Sequence, residues 1–419
     1  MQRYVKFLIG GFAAVALAAT ATIATAQDKQ PIKIGFGMAE TGPLGPNGKS
    51  AMLAMDIWVE ETNAKGGLLG RPVQLIHYDD QSNPSTVPGI YSKLLDVDKV
   101  DVIVGGYGTN MLAPAMPVVM QRKKTFLGLY GLGVNTDFHY DRYFAMIPTG
   151  PEPKTSFTKG FFDTAMAQKP KPATVAIVAA DAEFSKNAAE GARENAAKAG
   201  LKIVYDKSYP PASTDFGPIV RAIQATNADL VVICSYPLDS VGMVLAANEA
   251  KLNPKMIGGA MVGLQSTVFK TKLGPALNGY MNYDFWLPTK SLLFKGTAEF
   301  MQKYQERAAK AGIDPLGYYM APFSYAYLDV LGQAITAIKS ADDAKLADYL
   351  RKTTFKTIVG DVSFGKNGEW AKSRVLQAQF RGIKGNGVDQ FKSADTLAII
   401  TPAEYKSGDV IYPFEKARQ

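Results

Sequence analysis

The sequence predicts an α/β fold of two lobes, each built on a doubly wound parallel sheet. Apolar strand-like runs alternate with amphipathic stretches along the chain, which is typical of parallel sheets covered by helices on both faces. The alternation forms two series, separated by a Pro- and Gly-rich patch at residues 148–153. With 419 residues, 47% of them hydrophobic, the chain is long enough for two globular domains.

The first series opens with a complete strand, loop, helix and second strand. Alternating apolar residues predict a strand from Ile32 to Phe36, and the Gly- and Pro-rich segment from Thr41 to Gly48 predicts a tight loop. A helix follows, with Asn47 as the expected N-cap and Gly66-Gly67 as the expected end. The second strand is predicted to begin at Pro72.

Further strands and helices are predicted to alternate along the rest of the chain. Strands are predicted at residues 100–105, 125–129, 174–179, 201–205, 229–234 and 255–258. Helices are predicted at residues 183–199, 215–226, 291–309 and 319–339. Residues 361–364 are predicted as a strand that enters a turn at 365–368, and the tail 397–419 as an extended segment packed on the second lobe.

The first 26 residues have the pattern of a signal peptide. Arg3 and Lys6 precede an apolar run from Phe7 to about Ala19, and small residues at Ala24 and Ala26 form an Ala-x-Ala cleavage site. Because a glutamine and not a cysteine follows the expected cut, we expect a periplasmic protein without a lipid anchor.

Charge and cysteine content exclude some partners and chemistries. The formal net charge is +8, but the lysines are scattered and no basic stripe is interleaved with aromatic residues, which argues against nucleic-acid binding. Cys234, the only cysteine, lies in an apolar run and is expected to be a small buried hydrophobe without a disulfide.

An enzymatic function is poorly supported by the residues. His77 and His139 are the only histidines, and His77 is expected to be an ordinary sheet residue. Asp79 and Asp80 are adjacent on a strand and therefore point to opposite faces, which suits a turn better than a shared acid site. Glu40 replaces the third glycine of a dinucleotide-binding loop. We expect no catalysis, no cofactor and no metal ion.

The resemblance of the chain to a known family is carried by its first hundred residues. The segments IKIG at 32–35, TGP at 41–43, NAKGGLLGRPV at 63–73 and HYDDQSNP at 77–84 resemble the leucine/isoleucine/valine-binding protein family. These proteins are type I periplasmic solute receptors of ABC importers. The resemblance implies a three-strand hinge with crossings near residues 148, 283 and 361. Lobe 1 would then comprise residues 27–147 and 284–361, and lobe 2 residues 148–283 and 362–419.

The resemblance also implies ligand contacts in the first lobe. The loop Gly106 to Asn110 leads into a predicted helix, whose N-terminal N–H groups favour a carboxylate. Thr109 aligns with the family's hydroxyl residue that holds the ligand carboxylate, although a simple N-cap role is the alternative. At the end of the next strand, where the family has a small hydroxyl residue, this chain has Tyr130, Gly131 and Leu132.

In the second lobe, two aromatic residues and one departure from the family bear on the ligand. Phe184 and Tyr236 match positions where the family has aromatic residues, though each could be ordinary core. Ala260 or Met261 stands where amino-acid-binding members carry a glutamate for the ligand ammonium. An ammonium would then need another carboxylate, with Asp181, Asp239 and Asp284 as candidates. The predicted ligand contacts are Tyr107, Gly108, Thr109, Tyr130, Gly131, Leu132, Phe184, Tyr236, Ala260 and Met261, with Trp286 completing an aromatic cleft.

The predicted function is therefore a receptor whose lobes close on one small molecule and present it to the membrane permease subunits of an ABC importer. Family frequency favours a branched-chain or related small amino acid as the ligand. The missing glutamate favours the alternative, an aromatic or aliphatic organic acid or amide without an α-ammonium. A ligand-sensing receptor or regulator module is the alternative of another class.

Overall fold

Two sheets, one in each lobe, form the centre of the fold. The computed structural model describes residues 30–418, so the predicted signal peptide at 1–26 lies outside the described residues. None of the described helices is long and apolar enough to span a membrane.

The first sheet is parallel and has the strand order β2-β1-β3-β4-β5. Its strands are β1 (Ile32–Met38), β2 (Val73–Asp79), β3 (Val102–Tyr107), β4 (Phe126–Leu129) and β5 (Tyr143–Met146). The connecting helices are α1 (Gly45–Ala64), α2 (Val87–Asp96), α3 (Thr109–Gln121) and α4 (Val134–Phe138). The order reverses beside β1, and in such doubly wound sheets ligands bind beyond the carboxyl ends of the strands at this point.

The second lobe repeats the plan of the first. Its strands β6 (Thr174–Ala180), β7 (Lys202–Tyr209), β8 (Leu230–Ser235), β9 (Met256–Met261) and β10 (Met281–Asp284) are parallel and lie in the order β7-β6-β8-β9-β10. Its helices are α5 (Pro153–Met166), α6 (Glu183–Lys198), α7 (Gly217–Gln224), α8 (Pro237–Glu249) and α9 (Thr267–Leu273). The repeated strand order places a second set of strand ends opposite the first.

Three helices then return to the first lobe. They are α10 (Thr297–Ala311), α11 (Ala321–Ile338) and α12 (Asp343–Lys352). The hydroxyls of Tyr304 on α10 and Ser50 on α1 lie 2.6 Å apart, and the Tyr327 hydroxyl on α11 lies 3.4 Å from the sulfur of Met55. A short hairpin of β11 (Phe355–Thr357) and β12 (Gly360–Val362) follows.

The chain finally crosses to the second sheet and extends it with an antiparallel pair. β13 (Leu376–Phe380) pairs with β10, and β14 (Leu397–Thr401) pairs with β13. Before this crossing, Gly368 O accepts a hydrogen bond of 2.9 Å from Ala145 N in β5, and Arg374 N donates one of 2.7 Å to Pro148 O. The resemblance implies a crossing near residue 361. At Gly368 the segment is still hydrogen-bonded to the first lobe, and at Arg374 it lies beside the first crossing.

Several helix starts differ from the sequence prediction. α1 begins at Gly45 and not after Asn47, because Pro46 fits the first helical turn. The side chain of Asn47 instead donates to the Tyr107 hydroxyl at 2.8 Å. α10 begins at Thr297, later than predicted, because Gly296 adopts a left-handed conformation with φ 86°.

Candidate ligand-binding cleft

A narrow cavity lies between the lobes, at the facing strand ends. It is lined by Leu44, Tyr107, Gly108, Thr109, Asn110, Tyr130, Ile147, Phe157, Phe184, Tyr236, Val262, Tyr283, Phe285 and Tyr319. Eight of these fourteen residues are aromatic and none carries a charged side chain. The cavity volume is about 20 Å³, enough for a single water molecule. A larger ligand therefore requires these side chains to turn or the lobes to separate.

The N-terminus of α3 supplies the polar end of the cavity. Gly108, with φ 93°, occupies the N-cap position and turns the chain from β3 into the helix. As the first helical residues, Thr109 and Asn110 have N–H groups without a partner within the helix. The Thr109 hydroxyl accepts a hydrogen bond of 3.0 Å from Leu132 N, which leaves its own proton to donate. Because Gly108 and not Thr109 occupies the N-cap position, the alternative role of Thr109 as an N-cap is wrong.

Tyr130 lies at the centre of the aromatic lining. Its backbone is left-handed, with φ 59°, which is unusual for a bulky residue and frequent at functional sites. Its ring centroid lies 4.8 Å from that of Phe285 and 5.0 Å from that of Tyr319. Its hydroxyl donates to Tyr319 O at 2.7 Å. Segments that are distant in sequence are thus held around one ring.

The buried tyrosines keep the cavity uncharged. Burial raises the pKa of Tyr107 to about 12 and the pKa of Tyr130, Tyr236, Tyr283 and Tyr319 well above the ordinary value. Their phenols are neutral at physiological pH and can donate hydrogen bonds without adding negative charge.

Contacts across the cleft join the two lobes. The Tyr236 hydroxyl donates to Oδ1 of Asn110, and Phe184 N donates to the same oxygen at 3.1 Å. Asn187 Nδ2 on α6 donates to Leu132 O at 2.9 Å. Within the second lobe, the rings of Phe184 and Tyr236 meet edge to face beside these contacts, with their centroids 5.7 Å apart. The lobes are therefore in contact along the predicted ligand site.

Six of the ten predicted contacts line this cavity and four do not. The six are Tyr107, Gly108, Thr109, Tyr130, Phe184 and Tyr236. Gly131 and Leu132 are outside the lining, although Leu132 N donates to the Thr109 hydroxyl. The backbone N and O of Met261 are each 2.9 Å from the side chain of Asn282. Ala260 is buried in β9, and the next loop residue in the cavity lining is Val262. Contact of each predicted residue with a ligand stays a prediction.

The candidate replacements for the missing glutamate lie outside the lining. Asp239 Oδ2 accepts from the Tyr209 hydroxyl at 2.8 Å, Asp284 Oδ1 accepts from Phe285 N at 2.8 Å, and Asp181 pairs with Lys186 at 2.7 Å. Burial raises the pKa of Asp284 to about 6. None of these carboxylates is therefore placed to hold a ligand ammonium in this structure.

Trp286 is also outside the cavity, contrary to expectation. Its indole N–H donates to Leu292 O at 2.9 Å, and its ring packs against Tyr318. Neighbouring residues in a nearly extended segment point to opposite sides, and Phe285 faces the cavity instead.

Several aromatic residues of the lining were not among the predicted ligand contacts. Tyr283 and Phe285 belong to the second crossing, Tyr319 to the turn before α11, and Phe157 to α5. The crossing prediction near residue 283 could have suggested the first two, because crossing segments run along the floor of a cleft. Within residues 30–418, no group of three or more His, Cys, Asp and Glu side chains could hold a metal ion.

Comparisons with known proteins agree with this architecture. A family model described as periplasmic binding protein matches residues 31–384. The Leu/Ile/Val-binding protein homolog 7 of Brucella abortus is 25% identical over 368 residues, which cover 84% of this chain and 90% of that protein.

Solved structures share the fold at low sequence identity. LivJ, a branched-chain amino acid transporter substrate-binding protein of Streptococcus pneumoniae in complex with isoleucine, matches with a TM-score of 0.72 and 18% identity, over 89% of this chain and 100% of that one. A solute-binding protein of an ABC transporter from Rhodopseudomonas palustris, in complex with p-hydroxybenzoic acid, matches with a TM-score of 0.72 and 18% identity, over 92% of this chain and 98% of that one. The predicted two-lobed α/β fold is confirmed.

Proposed function

The chain belongs to the periplasmic binding protein family, and we propose that the cleft of this receptor binds a small aromatic or other apolar carboxylate without an α-ammonium. The coarser role follows from the family itself: the chain is a substrate-binding protein of the ABC transporter type and not an enzyme. The identity of the ligand goes beyond the family role, and the uncharged lining of the cleft supports it.

The lining argues against a ligand with an ammonium group. A buried ammonium without a counter-charge costs several kcal/mol. Asp239 and Asp284 lie outside the lining, where they accept hydrogen bonds from the Tyr209 hydroxyl and from Phe285 N. Ala260 and Met261 carry no charge. An acid without an ammonium needs no counter-charge.

The same lining suits a carboxylate attached to an apolar body. The N–H groups of Thr109 and Asn110 and the Thr109 hydroxyl converge at the start of α3, where the helix dipole favours an anion. The rings of Tyr130, Phe184 and Tyr236 would then contact the body of the ligand, by stacking or edge to face. Binding requires the lobes to open and close again, as in other two-lobed receptors.

A branched-chain amino acid is the second candidate. It is favoured by the chain's relationship to a Leu/Ile/Val-binding protein homolog over most of its length. For this ligand the ammonium would have to bind to phenol oxygens and carbonyl groups alone, which is weaker than pairing with a carboxylate.

The family role also bears on where the protein is located and on which proteins it contacts. The family places the chain in the periplasm. We further propose that residues 1–26 are cleaved as a signal peptide, that the mature protein carries no lipid, and that the closed form is recognised by the membrane permease subunits of an ABC importer. The family match favours this transport role over a ligand-sensing regulator.

Calorimetry on protein freed of copurified ligand tests the choice of ligand. Unfolding and refolding remove bound molecules, after which p-hydroxybenzoate, benzoate, leucine and valine are titrated separately. We expect saturable binding of the benzoates that T109V weakens, and no binding of the amino acids at the same concentrations. Tight binding of leucine or valine with no response to the acids would overturn the proposed ligand and leave the transport role intact.

A further inference from the structure

A second cavity, separate from the cleft, lies at the hinge and contains a buried arginine. It has a volume of about 460 Å³, within the range of small-molecule sites. Its lining is Phe294, Asp361, Ser363, Trp370, Lys372, Ser373, Arg374, Pro402, Glu404 and Tyr405, and it shares no residue with the cleft.

Arg374 is held rigidly but is not neutralised. Its side chain is buried, with the residue only 7% exposed, and Nη1 donates to Val359 O at 2.5 Å. The guanidinium lies over the rings of Trp370 and Phe294, at 5.0 and 5.4 Å from their centroids. Within residues 30–418, its Nε and Nη2 have no hydrogen-bond partner. A buried charged donor without an acceptor lowers the stability of the fold, unless a bound group supplies the missing acceptor.

The indole of Trp370, whose side chain also lines this cavity, carries a third donor without an acceptor. Its Nε1 is buried and lacks an acceptor among the described residues. Arginine and tryptophan side chains can only donate hydrogen bonds, so the group that fits them must be an acceptor. A carboxylate matches the two-pronged face of a guanidinium and carries the opposite charge.

The acidic residues of the cavity do not supply that group. Asp361 pairs with Lys356 at 2.6 Å, and Glu404 lies 3.8 Å from Lys372. The side chains of both acids are more than half exposed, whereas the Arg374 donors are buried. The Tyr405 side chain lies close to the guanidinium, but a neutral phenol does not supply the negative charge that would neutralise Arg374.

We propose that this hinge cavity is a second binding site, which takes a small organic carboxylate with its acid group on Arg374 and Trp370 Nε1 and its apolar part against Phe294 and Pro402. Phe294, Trp370 and Pro402 give the cavity an apolar side, which favours an organic acid over inorganic phosphate. The cavity lies where the third crossing passes the first, because Arg374 N donates to Pro148 O. The site is independent of the ligand proposed for the cleft.

Tryptophan fluorescence distinguishes the hinge site from the cleft. Trp370 lines the hinge cavity, and none of the three tryptophans of the chain lines the cleft. Titration of ligand-free protein with benzoate should change the emission saturably, and the change should be absent in W370F. T109V, which weakens the proposed cleft site, should keep it. Loss of the change in T109V, or its persistence in W370F, would overturn the assignment to the hinge.

Charge variants test the role of Arg374. R374M should weaken the benzoate response about tenfold or more, whereas R381M, on a half-buried arginine outside the cavity, should not. R374M should also be at least as thermostable as the wild type without benzoate, because it removes an unpaired buried charge. If R374M does not fold, R374K serves instead, since lysine keeps the charge but lacks the two-pronged donor face and should also weaken the response.

Titration with inorganic phosphate at matched ionic strength tests whether the site prefers an organic carboxylate or an inorganic anion. No saturable response to phosphate, with a response to benzoate, supports an organic carboxylate. A phosphate response equal to or stronger than that of benzoate overturns the organic-acid assignment. Equal benzoate responses in wild type and R374M, or no saturable response to either anion, overturn the site.

Discussion

The hydroxyl of Tyr236 in the second lobe donates a hydrogen bond to Oδ1 of Asn110 in the first. The same oxygen accepts a bond of 3.1 Å from Phe184 N. Asn110 directly follows Thr109 at the start of α3, so the contact that joins the lobes lies one residue from the proposed carboxylate contact. This arrangement predicts that ligand binding and lobe closure are coupled through the N-terminus of one helix.

Substitution N110A should favour the open form and weaken ligand binding. It removes two hydrogen bonds that exist only when the lobes meet, each worth about 0.5–1.5 kcal/mol. We expect the affinity for the cleft ligand to fall about tenfold. Small-angle scattering should show a larger radius of gyration, and calorimetry gives the affinity. N253A, on an exposed loop, is the control. An unchanged radius and affinity in N110A would contradict the coupling.

Thr109 offers a sharper test of the carboxylate contact. T109V removes the hydroxyl, whereas T109S keeps it and removes only a methyl group. We expect T109V to weaken binding of p-hydroxybenzoate about tenfold or more, because a hydrogen bond to a charged group is worth about 1.5–3 kcal/mol. T109S should stay close to wild type.

Loss of the Thr109 hydroxyl also leaves Leu132 N without its acceptor, so stability must be measured alongside affinity. Thermal unfolding without ligand reports this structural part. Equal affinity for p-hydroxybenzoate in T109V and T109S would mean that the hydroxyl does not contact the ligand, whatever its effect on stability.

A carboxylate introduced into the cleft should change the ligand preference. Val262 is the residue of the loop after β9 that lines the cavity, and it is buried. In V262E the new carboxylate can pair with an ammonium and repels a second carboxylate. We expect leucine binding to appear and p-hydroxybenzoate binding to weaken, as measured by calorimetry. V262Q, which has similar volume but no charge, is the control, and the same shift in V262Q would argue against a charge effect.

Much of the fold was predictable because it depends on local patterns. The apolar run from Val175 to Ala180 is buried on both faces of a parallel sheet and therefore reads as a continuous strand. The antiparallel pair β13 and β14 was harder to predict, because its pairing depends on β10, almost a hundred residues earlier in the chain. The start of α10 was missed because Gly296 and the short 3₁₀ turn at Lys290–Leu292 interrupt an otherwise helical pattern.

The candidate site was predictable only where it follows a strand directly. Thr109 and Tyr236 each begin or precede a helix at a strand end, which is where doubly wound folds bind ligands. Tyr319 enters the cavity from the turn between α10 and α11, so its position depends on how these two helices pack on the first lobe. Arg374 resembles any other charged residue in the sequence, and its burial depends on contacts with Val359, Trp370 and Phe294.

Glu369 should make stability fall as the pH rises toward 8. Its side chain is buried, with the residue 1% exposed, and neither carboxyl oxygen has a hydrogen-bond partner among the described residues. Burial raises its pKa to about 8, against 4.5 when exposed. Between these values the unfolded chain is ionised while the folded protein still binds the proton, so the free energy of unfolding decreases with increasing pH.

The isosteric variant E369Q isolates this effect, because it keeps the shape of the side chain and removes its titration. Burial also raises the pKa of Asp80 and Asp284 to about 6. The change in the free energy of unfolding between pH 6 and pH 8 therefore comes mainly from Glu369. In that window the free energy of unfolding of the wild type should fall by about 2 kcal/mol relative to E369Q. Urea unfolding at several pH values measures the difference, and parallel pH profiles for the two proteins would show that Glu369 does not hold a proton in the fold.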